Sequence, residues 1–231
     1  MEWHIITGSK GGVGKTLVTL LLLAYHLEEK TNEGILVLDL NTMNTDTAAM
    51  LLYGNTFFKS TMIQLKQTQR KITFQKAFSQ NNEFAVGWTD NPFLVYEHNN
   101  FVDLLVGIKQ NAKTIVEGLE IKPLQHVIID TNSHLCNLFP SQDEYYDEYK
   151  RSCADDHFNI WFLWVYRQLK TLLEKDNQEK TVINQTFGAI ERIFEQKIGP
   201  IIHTYTPVGL LPNDSEKGNF LSTWFSQKKF A

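Results

Sequence analysis

Cysteine is scarce in this sequence, since Cys136 and Cys153 are the only two in 231 residues. So few thiols exclude a disulfide-stapled secreted scaffold and are typical of a protein in a reducing compartment. No segment reaches the roughly 18 consecutive apolar residues that a membrane-spanning helix needs. The first residues enter a strand pattern without a basic segment or cleavage site, so the sequence predicts no export signal. We therefore expect a cytoplasmic protein.

An excess of positive charge is also missing. The 22 Lys and Arg residues face 26 Asp and Glu, which gives a formal net charge of -4. This balance excludes a protein that coats nucleic acid with its whole surface, so any nucleic-acid contact must come from a local patch. The length suits one sizeable domain over residues 1–231.

Short apolar segments alternate with helical patterns along the chain. Predicted strands cover 3–7, 35–38, 127–129, 160–165 and 201–203, and predicted helices cover 15–29, 166–173 and 182–196. Fully apolar strands separated by helices are typical of parallel sheets. The sequence therefore predicts a single α/β domain with a doubly wound, mainly parallel twisted sheet and helices on both faces. Between 56 and 124 the pattern is less clear, and 84–88 and 101–108 are further candidate strands.

A glycine-rich loop separates the first predicted strand from the first predicted helix. The pattern G-x-x-x-x-G-K-[ST] fits residues 9–16, with Ser9 in place of the first glycine. Gly11, Gly12 and Gly14 permit backbone angles that other residues avoid, so the N–H groups around Val13 can point inward at phosphate oxygens. The strand before the loop and the helix after it are the context that such a phosphate site requires.

The two residues after the last glycine supply the side-chain chemistry. Lys15 is expected to reach the β- and γ-phosphates, and the Thr16 hydroxyl is placed to bind Mg²⁺. The helix that begins at Lys15 adds its positive N-terminal end. The loop therefore predicts binding of a nucleoside triphosphate with Mg²⁺.

The segment from Lys10 to Thr16 resembles the deviant Walker A box of the ParA/MinD family of ATPases. The resemblance implies ATP and ADP as ligands and a homodimer that closes across ATP, with Lys10 reaching the partner subunit's nucleotide. A second cation on the phosphates would neutralise charge that builds up during phosphoryl transfer. Leu17 stands where many relatives have a second threonine near the α-phosphate.

Two strand ends resemble the same family. Residues 127–131 look like Walker B, which implies that Asp130 holds a magnesium-bound water. Residues 37–41 look like the strand-end switch that usually reads Asp-x-Asp, which implies roles for Asp39 and for residue 41. Thr16, Asp39 and Asp130 are the predicted metal residues. Lys10, Lys15, Asp39 and Asn41 are the predicted catalytic residues.

Asn41 departs from the family pattern, because an acidic residue usually stands there to orient or deprotonate the attacking water. An amide can position a water but cannot accept its proton at neutral pH. Hydrolysis could therefore be very slow, with ATP serving mainly as a dimerisation switch. Alternatively, Asp46 could replace the missing carboxylate, or Asp39 could act itself. We favour slow hydrolysis that a partner protein stimulates. The acidic, aromatic segment 143–149 could dock that activator, or it could be the solvated start of a helix.

The resemblance implies a switch that positions a cargo such as a plasmid, a chromosome region or a protein assembly. From 47 to 82 the sequence has no acidic residue but carries Lys59, Lys66, Arg70, Lys71 and Lys76. This 59–76 stretch could bind DNA phosphates non-specifically, or it could be a solvated helix whose basic residues neutralise nearby acids. The stretch 219–230 could form an amphipathic helix that binds a membrane, as in the MinD branch, or pack on the body. An accessory protein that binds ATP with little or no hydrolysis is the third reading. The protein would accordingly associate with the nucleoid or with the membrane periphery.

Overall fold

The computed structural model describes residues 1–8, 13–29, 32–41, 46–53, 59–66, 68–79, 82–89, 100–131, 152–153, 155–163 and 205–210. These residues contain eight strands: β1 (Glu2–Gly8), β2 (Gly34–Leu40), β3 (Ser60–Gln64), β4 (Lys71–Ser79), β5 (Asn82–Trp88), β6 (Leu124–Thr131), β7 (His157–Leu163) and β8 (Tyr205–Leu210). They also contain four helices: α1 (Lys15–Glu29), α2 (Asp46–Leu52), α3 (Asn100–Gln110) and α4 (Ala112–Leu119).

All eight strands join one sheet in the order β3-β4-β5-β2-β6-β1-β7-β8. Six neighbouring strands run parallel to one another, namely β5, β2, β6, β1, β7 and β8. Strands β3 and β4 add an antiparallel hairpin at one edge. The sheet is therefore mixed but mostly parallel, and the predicted α/β class is confirmed at that level. The carboxyl ends of the six parallel strands share one edge of the sheet.

Alternate residues of the central strands build two apolar cores on opposite faces. Leu36 and Leu38 of β2 face a core that includes the buried side chains of α3 and α4. Ile35 and Val37 of the same strand face a core that includes side chains of α1 and α2. Because β2 is apolar at every position except Asp39 near its carboxyl end, it can be covered on both faces, as central parallel strands require. Helices of the described part of the chain therefore lie on both sides of the sheet.

Several sequence predictions are confirmed and one is wrong. The strands at 3–7, 35–38 and 127–129, the helix at 15–29 and the candidate strand at 84–88 all exist, each with the same or slightly longer bounds. The candidate strand at 101–108 is instead part of α3. Its buried residues Phe101, Leu104, Leu105 and Ile108 follow the i, i+3, i+4, i+7 spacing of a helix face, which the apolar run concealed.

The predictions for the last third of the chain are tested only in part. The strand expected at 160–165 begins three residues earlier, at His157, and is described up to Leu163. A further strand, β8, covers Tyr205–Leu210. The predicted elements at 166–173, 182–196 and 201–203, the acidic segment 143–149 and the stretch 219–230 lie outside the described residues. Within the described residues, no helix is long and apolar enough to span a membrane.

Candidate functional site

The predicted phosphate and metal residues lie at the carboxyl-end edge of the sheet. Strands β1, β6 and β2 are neighbours, with β6 in the middle. Asp39 of β2 is in register with Asp130 of β6, and Asp130 is in register with Ile6 of β1. The two aspartates, which are 91 positions apart in sequence, therefore stand side by side where β1 ends at Gly8 and turns toward α1.

Glycine is required at two positions, Gly8 at the end of β1 and Gly14 directly before α1. Gly14 has a φ of 92°, which places it in the left-handed region that side chains disfavour, and its carbonyl accepts the first helical hydrogen bond from Val18 N at 3.0 Å. At Gly8, a Cβ would lie 2.9 Å from both the Leu163 carbonyl oxygen and Val13 Cγ2. No side chain fits there without a shift of the β7 backbone. The predicted residues Ser9, Lys10, Gly11 and Gly12 lie outside the described residues.

Asp130 is the centre of a small buried hydrogen-bond network. Its Oδ2 accepts a hydrogen bond from Thr16 Oγ1 at 3.0 Å and another from Thr47 Oγ1 at 2.6 Å. The Asp130 side chain is 1% exposed. Burial raises the pKa of Asp130 above its usual value, while the Thr47 and Thr16 hydroxyls and the Lys15 ammonium oppose that rise. The carboxylate is thus held by two hydroxyl donors and one nearby cation.

Asp39 is held by the backbone of the segment that follows it. Its Oδ1 accepts from Asn41 N at 3.0 Å, and its Oδ2 accepts from Ala48 N at 2.8 Å in the first turn of α2. The pKa of Asp39 is raised, mainly by burial and further by the carboxylates of Asp130 and Asp46. Asp39 therefore ties the end of β2 to the start of α2, and it stands beside a second carboxylate.

Lys15 is the first residue of α1 and lies in the same charged environment. Burial lowers the pKa of Lys15, and attraction to Asp130 works against that shift. The Lys15 ammonium thus lies near the carboxyl group of Asp130, which stands beside that of Asp39. An added divalent cation would favour the ionised form of both carboxyl groups. The hydroxyl and carboxylate oxygens of Thr16, Asp39 and Asp130 are the ligand type that Mg²⁺ prefers.

Val13 and Leu17, which the sequence predicts to be nucleotide-binding residues, have side chains in different environments. Val13 is 7% exposed and packs with Ile6 and Leu163 in the core on the α1 face. Leu17 is 53% exposed. Because an apolar side chain donates no hydrogen bond, only the backbone of these two residues can serve a phosphate group.

Thr47 belongs to the site although no sequence pattern identified it. It is fully buried and contacts both Asp130 Oδ2 and Thr16 Oγ1, the latter at 3.4 Å. No local pattern marks Thr47, because its part in the site depends on the sheet placing α2 next to β6.

The basic 59–76 stretch forms the hairpin β3–β4 and not a helix. At one end of the hairpin, Lys59 pairs with Glu120 and Lys76 pairs with Glu83. At the other end, Lys66, Arg70 and Lys71 are exposed around the turn. The pairing of Thr73 with Trp88, the last residue of β5, places that turn at the same sheet edge as Asp39 and Asp130. The predicted neutralisation by nearby acids is thus seen at Lys59 and Lys76.

Comparisons with known proteins add little. No family model and no curated protein matches the chain. Among solved structures, the chain is similar to the neck and C-terminal motor homology domain of ViK1 from Candida glabrata, with 9% identity and a TM-score of 0.28 over 60% of this chain and 68% of that one. A similarity of this size carries no information about function.

Proposed function

We propose that this protein is a Mg²⁺-dependent ATP-binding switch of the ParA/MinD type, which dimerises with ATP and positions a cargo on a DNA surface. The observation that carries the proposal is the contact of Thr16 and Thr47 with Asp130, beside Asp39 and directly after the glycine loop. A phosphate-binding loop needs a lysine, a hydroxyl and a strand-end carboxylate in one place. These groups converge here from α1, α2 and β6.

The charge of the site favours a metal-bound nucleotide. Burial makes both aspartates costly to ionise, as their raised pKa values indicate, and a nearby cation lowers that cost. Thr16, Asp39 and Asp130 would hold Mg²⁺ directly or through water, and the ion would neutralise charge on the β- and γ-phosphates. Lys15 would orient the phosphates, and the backbone N–H groups after Gly8 would bind their oxygens.

Slow hydrolysis is the form of the proposal that the described residues support. Both carboxylate oxygens of Asp39 already accept backbone N–H groups, from Asn41 and Ala48. These hydrogen bonds occupy and orient both oxygens, so neither is free to turn toward an attacking water, although the pKa of Asp39 is raised overall. Asn41 cannot accept a proton, so the described site has no obvious base apart from Asp46. ATP would then act mainly as a dimerisation signal, and Lys10 would connect the two subunits.

The exposed basic turn supports DNA as the surface. Lys66, Arg70 and Lys71 lie at the sheet edge that also holds the nucleotide residues, so nucleotide-dependent dimerisation would bring two such turns into one particle. Two weak electrostatic contacts on one particle bind DNA far more tightly than one.

Nucleotide binding is tested with a fluorescent ATP analogue and Mg²⁺. We expect Lys15→Ala to weaken binding by roughly 10- to 150-fold, which corresponds to about 1.5–3 kcal/mol for a hydrogen bond to a charged group. Asp130→Asn should reduce the affinity only when Mg²⁺ is present. The control is Lys113→Ala, because Lys113 is an exposed lysine of α4 on the opposite face. Unchanged binding in Lys15→Ala would contradict the proposal.

Dimerisation is tested by sedimentation velocity with and without ATP. We expect an ATP-dependent dimer in the wild type and a monomer in Lys10→Ala that still binds the fluorescent nucleotide. If Lys10→Ala dimerises with ATP as the wild type does, the proposal that Lys10 reaches the partner subunit's nucleotide is wrong.

Hydrolysis is tested by single-turnover phosphate release. Asn41→Asp restores a carboxylate at the position of the amide, and we expect it to raise the rate by at least about 10-fold. Asp46→Asn is the matched variant, and a large loss there would show that Asp46 is the base instead. If Asn41→Asp releases phosphate no faster than the wild type and Asp46→Asn releases it no more slowly, the protein is better explained as an accessory ATP-binding protein with little or no hydrolysis.

The surface is tested by co-sedimentation with DNA and with liposomes, each with and without ATP. We expect ATP-dependent DNA binding that is lost in the double variant Arg70→Glu, Lys71→Glu. The control Lys113→Glu, Lys122→Glu changes the net charge equally at another place on the surface and should still bind. Liposome binding that disappears when residues 219–231 are deleted would support the membrane alternative in its place.

A further inference from the structure

Three histidines from distant parts of the chain meet under the carboxyl end of α1. His4 lies on β1, His26 in the last turn of α1 and His126 on β6, and each is only 4% exposed. One ring nitrogen from each lies within 4.8 Å of the other two. The cluster is at the amino ends of the parallel strands, so it lies at the opposite end of α1 from the candidate nucleotide site.

The spacing of the rings is close to that of ligands around one ion. His4 Nε2 and His26 Nε2 are 3.1 Å apart. Two imidazole nitrogens bound to zinc at about 2.0–2.1 Å in a tetrahedral arrangement lie roughly 3.3–3.4 Å apart. The centroids of the His26 and His126 rings are 4.2 Å apart, and one nitrogen of each of the three rings lies within 4.8 Å of the others.

Carboxylates surround the cluster in the positions that metal-binding histidines use. Glu2 has one oxygen 3.2 Å from His126 Nδ1 and the other 3.7 Å from His4 Nε2. Glu33 contacts the opposite nitrogen of the same ring, His126 Nε2. A histidine that ligates through one nitrogen commonly gives its other N–H to a carboxylate, which fixes the ring. Glu2 is thus placed as a fourth ligand, and Glu33 as the group that orients His126.

The charges of the side chains around the cluster also match those of a bound divalent metal ion. Three neutral imidazoles, two carboxylates and one divalent cation sum to zero, which suits a buried site. Nitrogen-rich sets of this kind suit zinc and related transition metals better than Mg²⁺ or Ca²⁺.

We propose that His4, His26, His126 and Glu2 form a structural zinc site that fastens the end of α1 to β1 and β6. All four protein positions are filled by side chains, so the site has no open position for a substrate and is distinct in kind from a catalytic zinc site. Its role is to fix the helix whose first residues contribute to the nucleotide site.

The fluorescence of Trp161 can report zinc binding, because Trp161 is hydrogen-bonded to His4. Its Nε1–H donates to His4 Nδ1 at 3.3 Å, which places the His4 proton on Nε2, where it is donated to His26. Ligation through Nε2 moves that proton to Nδ1, where it faces the indole N–H. Zinc binding should therefore break the Trp161–His4 hydrogen bond and change the fluorescence of Trp161. Trp161→Phe should bind zinc more tightly than the wild type, because it removes the competing donor.

The experiment is a titration of the metal-free protein with Zn²⁺ and separately with Co²⁺, whose visible absorption reports four-coordinate geometry. It is run in the Asp130→Asn background so that the nucleotide site does not contribute. We expect one ion per chain, a higher melting temperature and a Trp fluorescence change. His26→Gln should lower the affinity by more than about 100-fold, and Glu33→Gln by roughly 10- to 100-fold.

The control is His157→Gln, because His157 begins β7 near the cluster but is not one of its three histidines. It should bind zinc with wild-type affinity. Circular dichroism of each metal-free variant establishes that it is folded. The proposal is overturned if the wild type binds no zinc, if His26→Gln binds it unchanged, or if His157→Gln loses as much affinity as His26→Gln.

Discussion

Thr47 offers the sharpest test of how the candidate site is built. Its hydroxyl donates to Asp130 at 2.6 Å, and both side chains are buried, at 0% and 1% exposure. Valine has nearly the same shape as threonine but has no hydroxyl. Thr47→Val therefore removes the hydrogen bond without making a cavity and leaves the carboxylate with Thr16 as its one remaining hydroxyl donor among the described residues.

The expected cost follows from the chemistry of the lost contact. A hydrogen bond to a charged group contributes about 1.5–3 kcal/mol, and the partner left behind is a buried carboxylate. We expect the free energy of unfolding of Thr47→Val to fall by that amount. Thr47→Ser keeps the hydroxyl and loses one buried methyl group, which costs about 0.8 kcal/mol. The valine variant should therefore be the less stable of the two.

The assay is urea unfolding in nucleotide-free buffer with a metal chelator, for the two Thr47 variants, Asp130→Asn and the double variant Thr47→Val, Asp130→Asn. A double-mutant cycle isolates the interaction between the two side chains, and contacting residues of this kind couple by about 0.5–3 kcal/mol. Thr47→Val as stable as Thr47→Ser, or a coupling energy close to zero, would refute the reasoning that Thr47 holds Asp130.

Three further predictions test other parts of the described chain. Gly34→Ala would place a Cβ 2.2 Å from a backbone carbonyl oxygen of the connection before β6, and we expect a loss of about 1–3 kcal/mol in urea unfolding; a stability equal to the wild type would show that the connection yields freely. Asp156→Ala leaves the Lys109 ammonium without its buried carboxylate partner and should cost at least about 2 kcal/mol, whereas Lys113→Ala, at an exposed pair, should cost less than about 0.5 kcal/mol. Burial raises the pKa of Cys153 to about 12, so in a Cys136→Ser protein its thiol should react with a disulfide reagent at least about 100-fold more slowly in the folded state than in urea, and equal rates would contradict its burial.

The local parts of the site could be predicted because their signals are local. Strand β1, the glycine loop, helix α1 and the aspartates at the ends of β2 and β6 each follow from a short run of residue types. Hydrophobic period, glycine spacing and a carboxylate at a strand end need no knowledge of distant residues. The same local reading was wrong for 101–108, where an apolar run concealed a helical spacing, and it left open whether the basic stretch formed a helix.

Contacts between distant residues could not be predicted in this way. Thr47 reaches Asp130 only because α2 follows β2 and because β2 pairs with β6, and no pattern near Thr47 states that pairing. The hairpin β3–β4 brings the basic turn to the edge that holds Asp39 and Asp130, which again depends on the sheet order.

The histidine cluster shows the difference most clearly. In the sequence, His4, His26 and His126 are three isolated residues with no metal-binding spacing between them. The sequence by itself determined strands β1, β2, β5 and β6, helix α1 and the position of the glycine pattern, because those depend on neighbours along the chain. Only the tertiary structure decided that β1 and β6 are adjacent and that α1 covers them, because strand pairing depends on contacts between segments that are more than half the chain apart.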